Sequence, residues 1–164
     1  MSPEEFREYL KGRLIDLLAR KPRTRRELQL KGIQIARTVG VDSQEVRSLI
    51  DDVLDSLETR GFLDDRDYAI TYISEQKRRN TPHGPLYIQN FLFTKGIPRK
   101  LISEVLAEFL PPIEERLHAL RLARRASTKR PSLRDPKKLA QYLRSRGFRA
   151  SAVRYAIDSL DETD

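Results

Sequence analysis

The chain has 164 residues, 38% hydrophobic and 34% charged, with 32 lysines and arginines against 24 acidic residues and a net charge of +8. Without cysteine, and with only His83 and His118, it can build no disulfide scaffold, thiolate zinc site, cysteine nucleophile or histidine metal cluster. No run approaches the roughly 18 consecutive apolar residues of a membrane span, and Met1-Ser2-Pro3-Glu4-Glu5-Phe6 lacks a hydrophobic signal core, so a cytoplasmic protein is expected.

Helix punctuation recurs along the whole chain, and nine helices are predicted, over residues 3–20, 25–38, 43–60, 65–79, 85–95, 98–110, 113–127, 136–146 and 150–160. Thr24 with Glu27 forms a capping-box signature, and Asp42-Ser43 offers an N-cap. Pro85, Pro98 and Pro136 stand where first turns begin. Gly61, Gly96 and Gly147 each follow a basic residue at a helix end, the place for a left-handed cap. Residues 127–135 read as a loop and residues 161–164 as a frayed tail. No segment alternates with period two, so no strand is predicted.

Gly40, Gly96 and Gly147 anchor an internal repeat. At +6, +9, +10 and +13 stand Val46, Leu49, Ile50 and Val53; then Ile102, Val105, Leu106 and Phe109; then Val153, Ala156, Ile157 and Leu160. This is the spacing of one helix face, repeated at an interval that accommodates three helices. The expected fold is all-α, an elongated modular array of three tandem three-helix repeats over residues 1–63, 64–111 and 112–164. Tyr68, Leu92, Ile102 and Leu106 are the expected core of the middle repeat.

Charge is segregated along the chain: net +5 over residues 1–41, −6 over 42–65, +3 over 66–112 and +6 over 113–164. On the helix over 113–127, Arg121, Arg125 and Lys129 fall along one strip beside His118. Ile113, Leu117 and Leu120 fall on the opposite, apolar side, and Arg124 near that side should snorkel or pair. Arg130 and Arg134 follow; Lys77, Arg78 and Arg79 end the fourth helix; Arg25 and Arg26 sit in the basic run from Arg20. The acidic helix places Asp51, Asp55 and Glu58 outward, as a solvated face. His83 is expected in a solvent-facing turn. No phosphate loop, nucleophile elbow or metal spacing occurs, so no enzyme and no cofactor are expected.

One segment is more specific. Leu57-Glu58-Thr59-Arg60-Gly61-Phe62-Leu63-Asp64-Asp65-Arg66-Asp67-Tyr68-Ala69 is followed by Tyr72, Gly84-Pro85, Ile88, Leu92 and Lys95-Gly96-Ile97. With Arg146-Gly147-Phe148, Val153 and Ala156-Ile157, this resembles the RecX family, bacterial regulators of the RecA recombinase, over about residues 13–160. In the first repeat the second helix can end at Lys31-Gly32-Ile33 or at Gly40, 16 residues after Thr24 and later than the family's usual step. Leu63 should pack back after the turn while Asp64 or Asp65 caps the next helix; adjacent carboxylates at a helix start are far more often caps than a catalytic pair.

The resemblance implies a non-enzymatic monomer that lies in the groove of the RecA filament on single-stranded DNA. There it would impede ATP hydrolysis, strand exchange and filament growth, in recombination, DNA repair and the SOS response. The basic residues Arg121, Arg125, Lys129, Arg130, Lys77, Arg78, Arg79, Arg25 and Arg26 are the candidates for contact with the filament or its DNA. The alternative is a direct nucleic-acid binder built of helix-turn-helix-like units, although no helix carries the Arg, Asn and Gln mixture of base readout.

Overall fold

The computed structural model describes residues 1–162, and its described elements are all helical. They are α1 (Pro3–Arg20), α2 (Arg25–Thr38), α3 (Gln44–Thr59), α4 (Asp65–Arg78), α5 (Pro85–Thr94), α6 (Arg99–Phe109), α7 (Pro112–Lys129), α8 (Pro136–Ser145) and α9 (Ala150–Glu162). Local chemistry sets the starts. Ser2 with Glu5 and Thr24 with Glu27 close capping boxes, and Ser43 accepts from the Val46 amide at 3.2 Å. Asp42, the other candidate at that start, instead binds Arg37 and Arg47 at 3.1 and 3.0 Å; the bonds from Arg47 and then Arg37 hold its carboxyl down at about 2. Two boundaries differ from expectation. α7 runs on to Lys129, and Pro131–Arg134 form a 3-10 turn whose Leu133 is buried, so this stretch is packed rather than a loose loop. α9 continues through Asp161 and Glu162; the rest of the expected frayed tail, Thr163 and Asp164, lies outside the described residues.

The chain forms two compact bodies. The first holds Met1–Tyr68 and Lys95–Ile97, the second Ala69–Thr94 and Pro98–Asp164. These boundaries do not follow the sequence repeat: residues 64–68 and Lys95–Ile97 group with the first body, the remainder of 64–111 with the second.

In the first body, α1, α2 and α3 close around Phe6, Leu10, Leu14, Leu28, Ile50 and Leu54, all fully buried. Each such side chain contributes roughly 1.5–3 kcal/mol relative to an exposed one. α2 ends at Gly40, not at Gly32. Gly32 lies inside the helix because a Cβ there would come within 3.1 Å of Ile50, so the small residue admits α3. The Leu-Asp-Asp segment divides its work. Leu63 is buried against the α3 end, and its amide donates to the Leu57 carbonyl at 3.3 Å. Asp64 caps its own helix by accepting from the Asp67 amide at 3.1 Å. Asp65 accepts from the Arg25 amide at 2.9 Å and so caps a different helix, α2; burial raises its carboxyl above the ordinary range.

The start of α2 also docks on a turn. The Thr24 hydroxyl, fully buried, donates to the Lys95 carbonyl at 2.6 Å, and Gly96, with φ of +84°, abuts the Arg26 side chain so tightly that a Cβ would stand 2.2 Å from Arg26 Cβ. The second body uses the same device. At the start of α5 the Gly84 amide donates to the Arg146 carbonyl at 2.8 Å and the Leu86 amide to the Gly147 carbonyl at 3.0 Å. A Cβ on Gly84 would collide with the Gly147 carbonyl at 2.5 Å. In both places a helix start, with its unsatisfied amides or a buried capping hydroxyl, meets the free carbonyls of another helix's terminal turn.

The second body packs α7 along α9 through Ala119, Ala123, Ala152 and Ala156, all but fully buried; the short side chains let the helices approach closely. Glu115, 2% exposed, accepts from the Arg149 amide at 2.9 Å and meets the Arg149 guanidinium at 3.6 Å, fixing the start of α9. Of the twelve repeat positions, Phe109, Ile157 and Leu160 are half-buried and the other nine are buried, as a packing role requires. Leu92, Ile102 and Leu106 are core; Tyr68 is only half-buried, because Ala69 and Ile73 take the inner face of α4.

His83 stands in the turn before α5 but is not a free surface group. It stacks on Tyr87 with centroids 3.6 Å apart, its Nδ1 is buried without a hydrogen-bond partner, and its backbone amide donates to the buried Gln76 at 3.0 Å. Burial, then the nearby Arg146 and Arg79 charges, hold the ring's pKa down at about 4. The fold therefore favours neutral His83, a contribution present above the ordinary histidine range and lost as pH falls from about 6.5 towards 4. Melting curves of wild type should shift downward across that window, and His83→Gln should flatten the shift. An equal pH slope in both proteins would contradict this assignment.

The glycines offer a separate check. Gly96→Ala should lower the melting temperature strongly, since it adds a clash with Arg26 to roughly 1–2 kcal/mol of left-handed strain. Gly12→Ala, where nothing lies within 4 Å of the added methyl in mid-helix, should raise stability by about 0.5–1 kcal/mol. Thermal denaturation of the two variants distinguishes the docked glycine from a merely helical one.

Candidate functional site

Basic side chains provide the candidate chemistry, and the fold uses several of them internally. Arg25 is half-buried and clamped: it meets Asp55 at 2.8 Å and Glu58 at 2.9 Å, and Gln29 donates to Asp51 at 3.2 Å. The acidic face of α3 is thus met by α2 rather than merely solvated. Arg26 is exposed and reaches Gln29 at 3.3 Å, and Arg23 donates to the Leu17 carbonyl at the end of α1.

In the second body two clusters that lie far apart in sequence come together. The Arg121 guanidinium donates to the Lys77 and Arg79 carbonyls at 2.9 and 3.1 Å, and Lys77 Nζ meets Glu114 at 2.7 Å. Arg121 therefore supplies donors to the last carbonyls of α4, as a cation at a helix C-terminus does. It also lies 3.2 Å from His118 Nδ1; burial and then the Arg121 charge lower the His118 pKa. Arg125 is half-buried, with its Nε out of contact with solvent and without a hydrogen-bond partner. Arg78, Arg79, Lys129 and Arg130 are exposed, with Arg130 5.7 Å from the centre of the Tyr142 ring. Lys129 stands two turns beyond Arg121, roughly 12 Å along α7 at ~1.5 Å per residue. Arg121 and the Lys77–Glu114 pair thus tie the end of α4 to α7, while Arg78, Arg79, Lys129 and Arg130 face water.

The apolar side of α7 is only partly where the sequence pattern puts it: Leu120 is buried as expected, Ile113 and Leu117 are not. Its buried positions are Glu115, Ala119, Leu120, Leu122, Ala123 and Ala126, while Ile113 is 69% and Leu117 55% exposed. Arg124 is exposed rather than tucked away, and Arg125 is the arginine that lies partly inside. Alanines carry little weight in an amphipathic reading, yet their small size seats α9; the alanines of α7 facing those of α9 are the signal that was available.

Asp64 and Asp65 serve two helix starts, and among the described residues no group of three or more potential metal ligands occurs. A cleft of about 410 Å³ lies at the end of α7 between Leu133, Leu139, Ile157 and Leu160, with Ser127, Thr128, Arg134 and Asp161 at its edge. No described helix is long and apolar enough to cross a membrane.

No protein-family model matches the chain. It is 32% identical over 157 residues to the regulatory protein RecX of Halorhodospira halophila, covering 96% of this chain and 91% of that protein. It is 33% identical over 132 residues to the regulatory protein RecX of Thermus thermophilus, covering 80% and 78%. The crystal structure of RecX from Lactobacillus salivarius superposes with a TM-score of 0.80 at 19% identity, covering 96% of this chain and 98% of that one. A second RecX crystal structure gives 0.69 at 26% identity, covering 95% and 73%. An all-helical fold shared with RecX structures and identity of this level along nearly the whole chain agree: the protein belongs to the RecX family of regulatory proteins.

Proposed function

We propose that this protein regulates a RecA recombinase by binding its filament on single-stranded DNA, slowing ATP hydrolysis, strand exchange and filament growth without catalysing a reaction itself. It would act in the cytoplasm as a monomer of three tandem helical units. One observation carries the reading: Arg78, Arg79, Lys129 and Arg130 face solvent on one body, and the α4 end that carries the first two is braced by Arg121 and by the Lys77–Glu114 pair. Exposed cations held by a rigid support attract a polyanionic filament and lose little rotamer freedom in the support itself. Arg121 and Lys77 belong to that support, and Arg125 is half-buried; Arg25 serves the α2–α3 pair in the same way, and Arg26 remains an outward contact candidate.

Direct binding to nucleic acid is the second reading, favoured by the same cations. Binding that rests on phosphate contacts should weaken with salt at a slope of about −0.7 per contact on single strands.

Reversal of Arg78, Arg79 and Lys129 to Glu should leave helicity unchanged, because surface ion pairs are worth only ~0–1 kcal/mol. It should raise the concentration needed to inhibit the filament ATPase at least tenfold at low salt. Arg121→Ala should act differently: loss of two charge-assisted bonds to backbone carbonyls should cost about 1 kcal/mol of stability. Inhibition assays paired with circular dichroism melts read both effects. Full inhibition by a folded triple variant would remove this surface from the docking site.

A further inference from the structure

α7 carries a second outward surface that its basic strip does not explain. At ~100° per residue, Ile113, Leu117, Leu120 and Arg124 fall within roughly 60° of one another, on the side away from Ala119, Leu122 and Ala126. Leu120 is tucked in, but Ile113 and Leu117 stay open to solvent at 69% and 55%. Neighbouring apolar residues on one helix face are ordinarily covered. Here the fold covers the opposite side of the helix, through its alanines, and leaves this ridge open.

The ridge has a basic border. Arg116 lies on one flank, its guanidinium 5.9 Å from the centre of the partly exposed Tyr155 ring on α9. Arg121 lies on the other, held by the α4 carbonyls, and exposed Arg124 continues the ridge itself. The acids of this turn are already engaged: Glu114 pairs with Lys77 at 2.7 Å, and Glu115 is buried on Arg149.

We infer that this ridge is a protein-docking face that takes a segment with aliphatic anchors flanked by carboxylates, presented by the RecA protomers of the proposed filament. The inference rests on the filament reading and divides its surface. The exposed cations at the α4 end and the α7 C-terminus meet phosphates, and the Ile113 and Leu117 ridge meets protein. Chemistry selects the occupant. Branched aliphatic side chains offer no ring for base stacking and no donor for phosphate, which argues against nucleic acid here. A second copy of this chain docking through the same face would bring arginines against arginines, in a segment of net +6 over residues 113–164, and the acidic α3 of a copy already meets its own Arg25 through Asp55 and Glu58. An acidic segment with apolar anchors satisfies both the ridge and its border.

The test compares wild type, an Ile113→Ser/Leu117→Ser double variant and Arg124→Glu. Three quantities are measured: inhibition of the ATPase of a RecA filament on single-stranded DNA, affinity for the bare single strand, and sedimentation of the free protein. Both variants alter exposed side chains, so their melting curves should match wild type. The serine variant should need at least tenfold more protein for half inhibition while its affinity for bare DNA is unchanged. Arg124→Glu, which removes no apolar contact, should raise half inhibition several-fold and most at low salt; it keeps the test valid if the serine variant melts early. Unchanged inhibition by both variants, beside inhibition by wild type, overturns the docking face alone. Loss of bare-DNA affinity in the serine variant would assign the ridge to nucleic acid, and loss of a wild-type self-association would assign it to a second copy; either overturns the inference. A wild type that leaves the filament untouched overturns the filament reading and the face with it.

Discussion

The contact on which both bodies depend is the seating of a helix start on another helix's glycine turn. A helix start has four amides without internal acceptors, and a helix end has four carbonyls without donors. Gly84-Pro85 on Arg146-Gly147 brings these complementary deficits together, amide to carbonyl, and Thr24 on Lys95-Gly96 meets the turn carbonyl with its buried capping hydroxyl. Only a residue without a side chain permits that approach, and only a left-handed conformation turns the carbonyls towards the incoming helix. That is why the glycines are functional parts of the packing as well as caps. Asp65 and Glu115 extend the principle with side chains, each serving the start of a helix other than its own.

Charge follows the same logic. The chain is rich in arginine, yet many of its guanidiniums are occupied by its own backbone and acids. Arg23 and Arg121 complete helix ends, Arg25 meets the acidic helix, and Arg149 covers a buried glutamate. A count of positive residues therefore overstates the surface offered to a partner. What is offered is a smaller set, placed by the members that are not. A high pI and an oriented docking surface are compatible on these terms: attraction at a distance comes from net charge, and orientation from where the fold leaves cations unengaged.

Most helix limits were legible in the sequence because proline, glycine and capping residues act locally. The twelve repeat positions were legible because large apolar side chains at helical spacing have few other uses. The orientation of α7 was not. Ile113 and Leu117 form a better apolar stripe with Leu120 on paper than Ala119, Ala123 and Ala126 do, yet α9, whose alanines complement the alanine set, takes that set and Leu120 and leaves Ile113 and Leu117 outside. The role of Asp65 was hidden for a related reason: its partner amide is 40 positions away. Likewise the clamp by Arg121 on residues 42 and 44 positions earlier could not be read from a helical wheel, which knows only one helix. Local signals identify elements and candidate charges; which candidates become internal fasteners is decided by tertiary neighbours.

The glycine-turn seating also bears on how such chains change length over evolutionary time. Each seat joins a helix start to a turn 62 or 71 positions later, and both halves of the seat recur in the same order. A gene duplication of the stretch between the Gly40 and Gly96 turns supplies a new start, at Gly84, and a new turn, at Lys95-Gly96, together, so every seat in the lengthened chain finds its mate. A duplication or deletion that takes the start without the turn, or the turn without the start, leaves one of them without a mate and exposes unsatisfied backbone groups. Breakpoints between relatives of different length should therefore cluster just after glycine turns like those at Gly40 and Gly96, making growth by whole modules the path of least resistance.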